Sequence, residues 1–340
     1  MTGAAPLAEF QDLTRRAEQA GYAGLVVTEA GRTAYLSCAA AALTGADLDL
    51  ATGVAVAFPR SAMVTAANAW ELAQATNGRF RLGLGPQVRA HVERRYSSEF
   101  SPPGPRLEEY VRALRAIFAA YRGERLDFHG TYSSFTLLPA MWSPGPIPVP
   151  DPPIDVAAVN PWMLRMAGEV ADGVHAHPIN TVAYATETLL PNLGVGANRG
   201  GRALEDLTVF LPLFTVPTDT ASERARWRET TRTMVGFYGS TPNYAFIFEQ
   251  LGRPGTTEAL REAQQRGDTT AMTAVVDDDL LEHFVVEASW SGMADAILRR
   301  CAPLAGTDVQ VVLYLAGMTA AHPGDTFERF GAVARALRDA

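Results

Sequence analysis

His175 and His177 close a short apolar run at 173–176, and alternate residues on a strand point to one side, so the two imidazoles project together. Such a pair is the start of a metal site of the kind that barrel hydrolases use. No third or fourth ligand has an evident position, which leaves one functional histidine, His177, beside a structural one. Glu29 ends the apolar run AGLVVT at 23–28. A carboxylate there needs a hydrogen-bond partner if buried, and it reads either as a site residue or as a helix cap or structural ion pair. Asp277–Asp279, directly before LLEHFVV, reads as the acidic first turn of a helix and not as a metal cluster.

The glycines divide by context. GVGANRGG at 194–201 imitates a dinucleotide fingerprint but follows a helical pattern instead of a strand, so it reads as a loop. GLGPQV at 83–88 does follow a strand, yet the third glycine is absent and Pro86 removes an amide donor, which argues against a nicotinamide pyrophosphate turn. Gly53–Val54 interrupts a smooth β-branched run and marks a bulge, a close approach by a ligand, or a packing glycine. No G-x-S-x-G elbow, P-loop or kinase lysine occurs. A carboxylate and a histidine around a bound planar cofactor is the chemistry that remains.

Composition narrows the classes further. All 29 basic residues among the 340 are arginine, so Schiff-base catalysis and a carboxylated-lysine metal bridge are excluded. A net charge of -8 with no basic cluster offers no field for nucleic acid or an anionic membrane. Cys38 and Cys301 fit no zinc or redox spacing, which suits a reducing cytoplasm. MTGAAPLAEF has neither a basic nor an apolar leader region, and no apolar stretch approaches the roughly 20 residues of a membrane span. A cytoplasmic protein of one domain spanning 1–340 is expected.

The elements that must position these residues alternate. Helical periodicity at 7–20 is followed by a strand at 23–28. The pattern continues with helix 34–44, strand 50–57, helix 61–76, strand 80–84 and helix 105–121. After a Pro-rich crossing at 139–153 come strand 154–159, helix 161–171, strand 173–176, helix 182–190 and strand 207–215. A helical tract at about 219–301, without strand signal, precedes strand 308–315 and helix 325–338. Seven continuous apolar strands separated by helices mean a parallel sheet, either doubly wound or a (β/α)8 barrel whose first strand, before residue 7, is short or missing. In such folds ligands sit at the carboxyl ends of the strands, which here gathers Glu29, Gly53–Val54, Gly85 to Gln87, Asn160–Pro161 and the two histidines.

The segments RRAEQAGYAGLVVTE, LATGVAVAFPRSAMV, NGRFRLGLGPQV, PRLEEYVRALRAIF and VNPWMLRMAGEVADGVHAHP, in this order, resemble the bacterial luciferase-like superfamily. Its deazaflavin (coenzyme F420)-dependent oxidoreductase branch is the nearest in pattern, and the resemblance runs from about residue 7 to 338. It implies an α/β fold of the (β/α)8 TIM-barrel type with a helical insertion, binding F420 or FMN at the carboxyl ends of its strands. It also implies a non-prolyl cis peptide at Gly53–Val54 supporting the cofactor's central ring. By the same resemblance Gly85 and Gln87 reach the ring edge, and Asn160, Pro161 and Trp162 open a helix that receives the cofactor tail. Glu29 and His177 would then be the catalytic pair, with Arg89 and His91 contacting substrate or tail. In the sugar-phosphate dehydrogenase branch a histidine follows the strand-two acid and a glutamate follows the strand-four glycines; Ala30 and Pro86 stand there in this chain, so that chemistry is not expected. The activity implied is hydride transfer between the deazaflavin and a small organic substrate with a C=C, C=N or carbonyl group. The alternatives are an FMN-dependent monooxygenase served by a separate flavin reductase, or a cofactor-poor relative without catalysis. A homodimer is expected.

Overall fold

The chain is described here by a computed structural model covering residues 1–3, 5–315 and 324–340. The β-branched runs form strands and the 3.6-periodic segments form helices. The first half runs β1 (Thr2–Gly3), α1 (Leu7–Ala20), β2 (Gly24–Thr28), α2 (Ala34–Ala42), β3 (Asp49–Thr52), β4 (Ala55–Val56), α3 (Ala62–Ala75), β5 (Phe80–Gly85) and α4 (Pro103–Tyr121). A small hairpin, β6 (Phe128–His129) and β7 (Ser134–Phe135), interrupts the crossing that leads to β8 (Ile154–Ala157), α5 (Pro161–Val170), β9 (Gly173–His175), α6 (Leu190–Arg199) and β10 (Thr208–Pro217). Then come α7 (Ala221–Gly239), α8 (Ala245–Gln250), α9 (Thr256–Gln265), α10 (Thr269–Val275), α11 (Asp278–Glu282), β11 (Val285–Ala288), α12 (Met293–Cys301), β12 (Asp308–Leu313) and α13 (Thr326–Arg338).

The strands are parallel in the order β1, β2, β3, β5, β8, β9, β10, with β12 on the far side of β10 and β4 continuing the line of β3 along β5. Met1 closes the ring: its backbone nitrogen donates to Leu313 O at 2.6 Å, and Leu315 N donates to Met1 O at 3.2 Å. The result is an eight-stranded (β/α) barrel whose first strand is short, and not missing. Among the described residues no helix is long and apolar enough to cross a membrane.

Three expectations are corrected. The tract 219–301 is not wholly helical, because Val285–Ala288 forms β11 alongside the upper half of β10, Phe214–Pro217. Four residues, two of them half-exposed, are too few to show a strand period inside a helical neighbourhood. GVGANRGG is not a loop, since Gly194 to Arg199 lie in α6. Its glycines serve helix packing: a Cβ on Gly196 would sit 2.9 Å from Gly168 Cα, and one on Gly168 would sit 2.9 Å from Ala197 N, so α5 and α6 meet backbone to backbone. The predicted helix at 182–190 is a π-helical turn, Tyr184–Leu189, that runs on into α6. Asp277, by contrast, caps α11 as expected, its side chain accepting from Leu280 N at 2.8 Å.

The barrel interior carries charge. Arg81 grips Asp155 with two hydrogen bonds of 2.9 and 2.6 Å, and its guanidinium lies 5.5 Å from the Phe210 ring centre. On the same ring His175 stacks at 4.5 Å with its plane 11° away, and its buried Nε2 has no hydrogen-bond partner, lying 4.0 Å from Asp155 Oδ2. Burial pushes Asp155 up to about 6 against the pull of Arg81. Burial, seconded by the Arg81 charge, lowers His175 to about 3.

Between pH 6.5 and 3 the unfolded chain therefore binds a proton at His175 that the folded chain refuses, so this term stabilises the fold fully above 6.5 and is lost as pH falls. His175→Phe, which keeps the stack on Phe210, is expected to reduce the drop in melting temperature between pH 7.5 and pH 5. Thermal melts of both proteins check this, and an unchanged drop contradicts a buried neutral His175.

Candidate functional site

Gly53–Val54 joins β3 to β4 through a cis peptide bond at the carboxyl end of the third barrel strand. Along 50–58 these two residues alone are half-exposed while their neighbours are buried, so the 53–54 peptide is presented to the open end of the barrel. The packing beneath demands glycine. A Cβ on Gly53 would run into Val26 Cγ1 and lie 3.6 Å from two ring atoms of His175. A Cβ on Gly83 would sit 2.5 Å from His175 Nε2, and one on Gly85 2.6 Å from Val54 Cγ2. His175 thus fills the axis directly below the bulge, a supporting and not a ligating position. The expected meeting of Gly53, Val54 and Gly85 is what the structure shows.

Glu29 holds this floor from the side. Its Oε2 accepts from Val56 N at 2.9 Å and from Arg60 Nη1 at 3.0 Å, its Oε1 takes Arg60 Nη2, and Arg60 Nη1 also donates to Val56 O at 2.8 Å. The Glu29 side chain is 4% exposed and that of Arg60 20%. Burial works against the Arg60 guanidinium, but hydrogen bonds and charge from Glu29 outweigh it and raise its pKa. The carboxylate is committed to pinning the strand, which is the ion-pair alternative of its two readings. Arg60, four residues past Val56, was not singled out from sequence; the only signal was an arginine following a strand end.

The opposite wall is built on strands β9, β10 and β12. His177 lies two residues beyond His175, one layer higher on the same side. Its ring is 4.1 Å from that of Tyr244 and 4.8 Å, edge on, from that of Tyr238. Tyr238 Oη and Tyr314 Oη are 2.6 Å apart, and Tyr314 packs at 5.0 Å on Phe214. Ile179 N donates to His177 Nδ1 at 3.1 Å, which assigns the imidazole proton to Nε2. Burial lowers His177 to about 3, so the ring is a neutral donor near pH 7. Buried Asn180 ties this corner down, giving Nδ2 to His177 O at 2.9 Å and to Pro212 O at 2.8 Å. Tyr238, Tyr244, Tyr314 and Asn180 carry no motif; contacts between the insertion and the barrel reveal them.

Other expected residues lie around the rim. Gln87, at φ 62°, turns its Oε1 to Val88 N at 3.0 Å. Arg89 covers the Phe100 ring at 4.7 Å, and His91 is exposed at the start of a π-helical turn, His91–Arg95. Arg95 Nη2 reaches Ala30 O, so this segment spans from β5 back to the loop after β2. None of the described contacts ties Arg89 or His91 to the bulge or to His177. Asn160 caps α5, accepting from Met163 N at 3.0 Å; Pro161 opens the helix and Trp162 packs on Gly104 of α4.

A parallel barrel thus carries a glycine-lined bulge and a neutral imidazole at its carboxyl end, where folds of this kind place their ligands. The sequence profile of the luciferase-like monooxygenase family matches residues 1–305, and the chain belongs to that family. An uncharacterized protein of Mycobacterium tuberculosis is 36% identical over 296 residues, 87% of each chain. The F420-dependent glucose-6-phosphate dehydrogenase of Beutenbergia cavernae is 35% identical over 187 residues, 54% of this chain and 52% of its own. The solved structure of the coenzyme F420-dependent tetrahydromethanopterin reductase of Methanopyrus kandleri shares the fold at a TM-score of 0.76 and 19% identity, over 97% of this chain and 96% of that one.

Removing one partner of a buried, hydrogen-bonded ion pair strands the other charge. Glu29→Ala is expected to lower the unfolding free energy by about 2–4 kcal/mol, with Arg60→Ala in addition recovering part of the loss. Urea denaturation of the single and double variants measures both, and a loss below ~0.5 kcal/mol, the scale of an exposed pair, contradicts the pin.

Proposed function

We propose that the protein is an F420-dependent oxidoreductase that moves a hydride between the deazaflavin and a small organic substrate carrying a C=C, C=N or carbonyl group. The observation that carries this reading is the half-exposed Gly53–Val54 peptide, standing on Gly83, Gly85 and His175 at the same end of the barrel as the neutral His177. That floor fits a flat ring: Gly53 and Gly85 carry no side chain, and glycine on the adjoining strand admits close approach of backbone. A relative named as an F420-dependent dehydrogenase favours the deazaflavin. The ring would rest on Gly53, Val54, Gly85 and Gln87, and the tail would run to Asn160, Pro161 and Trp162, where α5 begins. Arg89 and His91, on the exposed segment after β5, are placed for the tail or the distal part of the substrate.

When bound, the cofactor supplies the hydride chemistry, and the protein supplies position and electrostatics. His177 presents Nε2–H as a fixed donor that polarises and orients a carbonyl or imine. The neutrality of the ring and its occupied Nδ1 make it a donor and not a base. Tyr238 and Tyr244 screen it from water. Glu29 and Arg60 act through the strand.

The second reading is an FMN-dependent monooxygenase working with a flavin reductase, favoured by the family's monooxygenase members. Anaerobic titration of the protein with oxidised F420 and with FMN, followed by fluorescence, separates the two. Micromolar binding of F420, weakened at least tenfold in Gly85→Val, is the expected result; preference for FMN moves the protein to the monooxygenase reading, and binding of neither overturns both.

A further inference from the structure

The wall opposite the floor differs in chemistry from the rest of the rim. His177, Tyr238, Tyr244 and Tyr314 form one continuous set of ring contacts, and Phe214 extends it into the barrel strand β10. Tyr238 and Tyr314 share one hydrogen bond between their hydroxyls, 2.6 Å apart. Every ionisable group in the set is uncharged near neutral pH: burial raises Tyr238, Tyr314 and Tyr244, the last to about 12, and lowers His177 to about 3. Among the described residues, the causes of those shifts are burial and the neighbouring tyrosines, with no Asp, Glu, Arg or other His among them.

The cation that the described contacts bring to this corner is engaged by backbone carbonyls. Arg300 reaches the back of this corner but donates to His283 O at 2.7 Å and Asn180 O at 3.3 Å. On the floor side Arg60 is held by Glu29, and Arg106 donates to Glu99 O at 2.7 Å while lying on Phe58 at 4.4 Å. A carboxylate or phosphate entering between floor and wall would lose its water and meet aromatic faces, a cost that rejects it. A flat neutral molecule would instead gain ring contacts and one hydrogen bond from Nε2–H of His177.

We propose that this wall recognises an uncharged, planar, conjugated carbonyl or imine compound, stacked on the tyrosine side and hydrogen-bonded to His177. The inference rests on the reading of this face as a redox site and specifies its substrate class. It excludes sugar phosphates and simple carboxylic acids as substrates.

Two probes of the same ring and size separate the possibilities: 2-acetonaphthone, a neutral aryl ketone, and 2-naphthoate, its anionic counterpart. Calorimetric titration of the full-length protein, with and without saturating F420 or FMN, is expected to show the ketone binding at least tenfold more tightly than the carboxylate. His177→Phe keeps a ring but removes the donor, and is expected to weaken the ketone about tenfold while leaving 2-ethylnaphthalene, which has no acceptor, within twofold. Tyr244→Leu is expected to weaken both neutral probes while the cofactor dissociation constant stays within twofold. Equal or tighter binding of 2-naphthoate, absence of ketone binding to a protein that does bind cofactor, or indifference of the ketone to both variants overturns the inference. Ketone binding by this pattern without cofactor binding supports the neutral recognition wall and overturns the redox reading alone.

Discussion

The open end of this barrel depends on one steric constraint, the close approach of Gly53 to Val26 on the neighbouring strand and to His175 across the interior. A side chain at 53, 83 or 85 would force the bulge outward against backbone or a packed ring. The inward turn is stabilised by a carboxylate that serves as a strand-pairing group. Glu29 receives the Val56 amide, and Arg60 neutralises Glu29 while bonding the Val56 carbonyl, so one ion pair satisfies both backbone groups of the second residue past the bulge. Charge here organises backbone, and the backbone makes the surface at the open end of the barrel.

The same economy runs down the barrel. Arg81 and Asp155 pair in the interior beneath His175, which stacks on Phe210 and rises to the underside of the bulge. The layer above continues with His177, whose ring is fixed by the Ile179 amide on one nitrogen and by two tyrosines on its faces and edge. The two imidazoles share a strand side and differ in duty. One supports the floor from within, and the other presents a donor to whatever lies above it.

Much of this was legible in the sequence. The alternation of apolar runs and helical periods marked seven barrel strands, and the isolated glycine in LATGVAVA marked a bulge, a ligand approach or a packing glycine, of which the family resemblance pointed to the bulge. The first strand was less legible because closure rests on Met1 and two hydrogen bonds, too little chain to show a period. Val285–Ala288 was hidden for the same reason. GVGANRGG misled because glycines that let a ligand approach a backbone and glycines that let a helix approach one look alike until the partner is seen. Glu29 was found by position, and its role turned on Arg60, a surface-type residue made internal by its partner. Tyr314 continues barrel strand β12, whereas Tyr238 and Tyr244 come from a segment with no strand register and reach it only when α7 and the turn before α8 fold over the rim.

The central claim is that the cofactor ring lies on the Gly53–Val54 floor. Hydrogen–deuterium exchange of the full-length protein, measured with and without saturating F420 or FMN, tests it most directly. The account predicts slowed exchange in peptides covering 50–58 and 82–88 when the cofactor binds, with little change at the α5–α6 packing glycines in 194–201. Binding that leaves 50–58 unprotected, or that protects 194–201 instead, would contradict it.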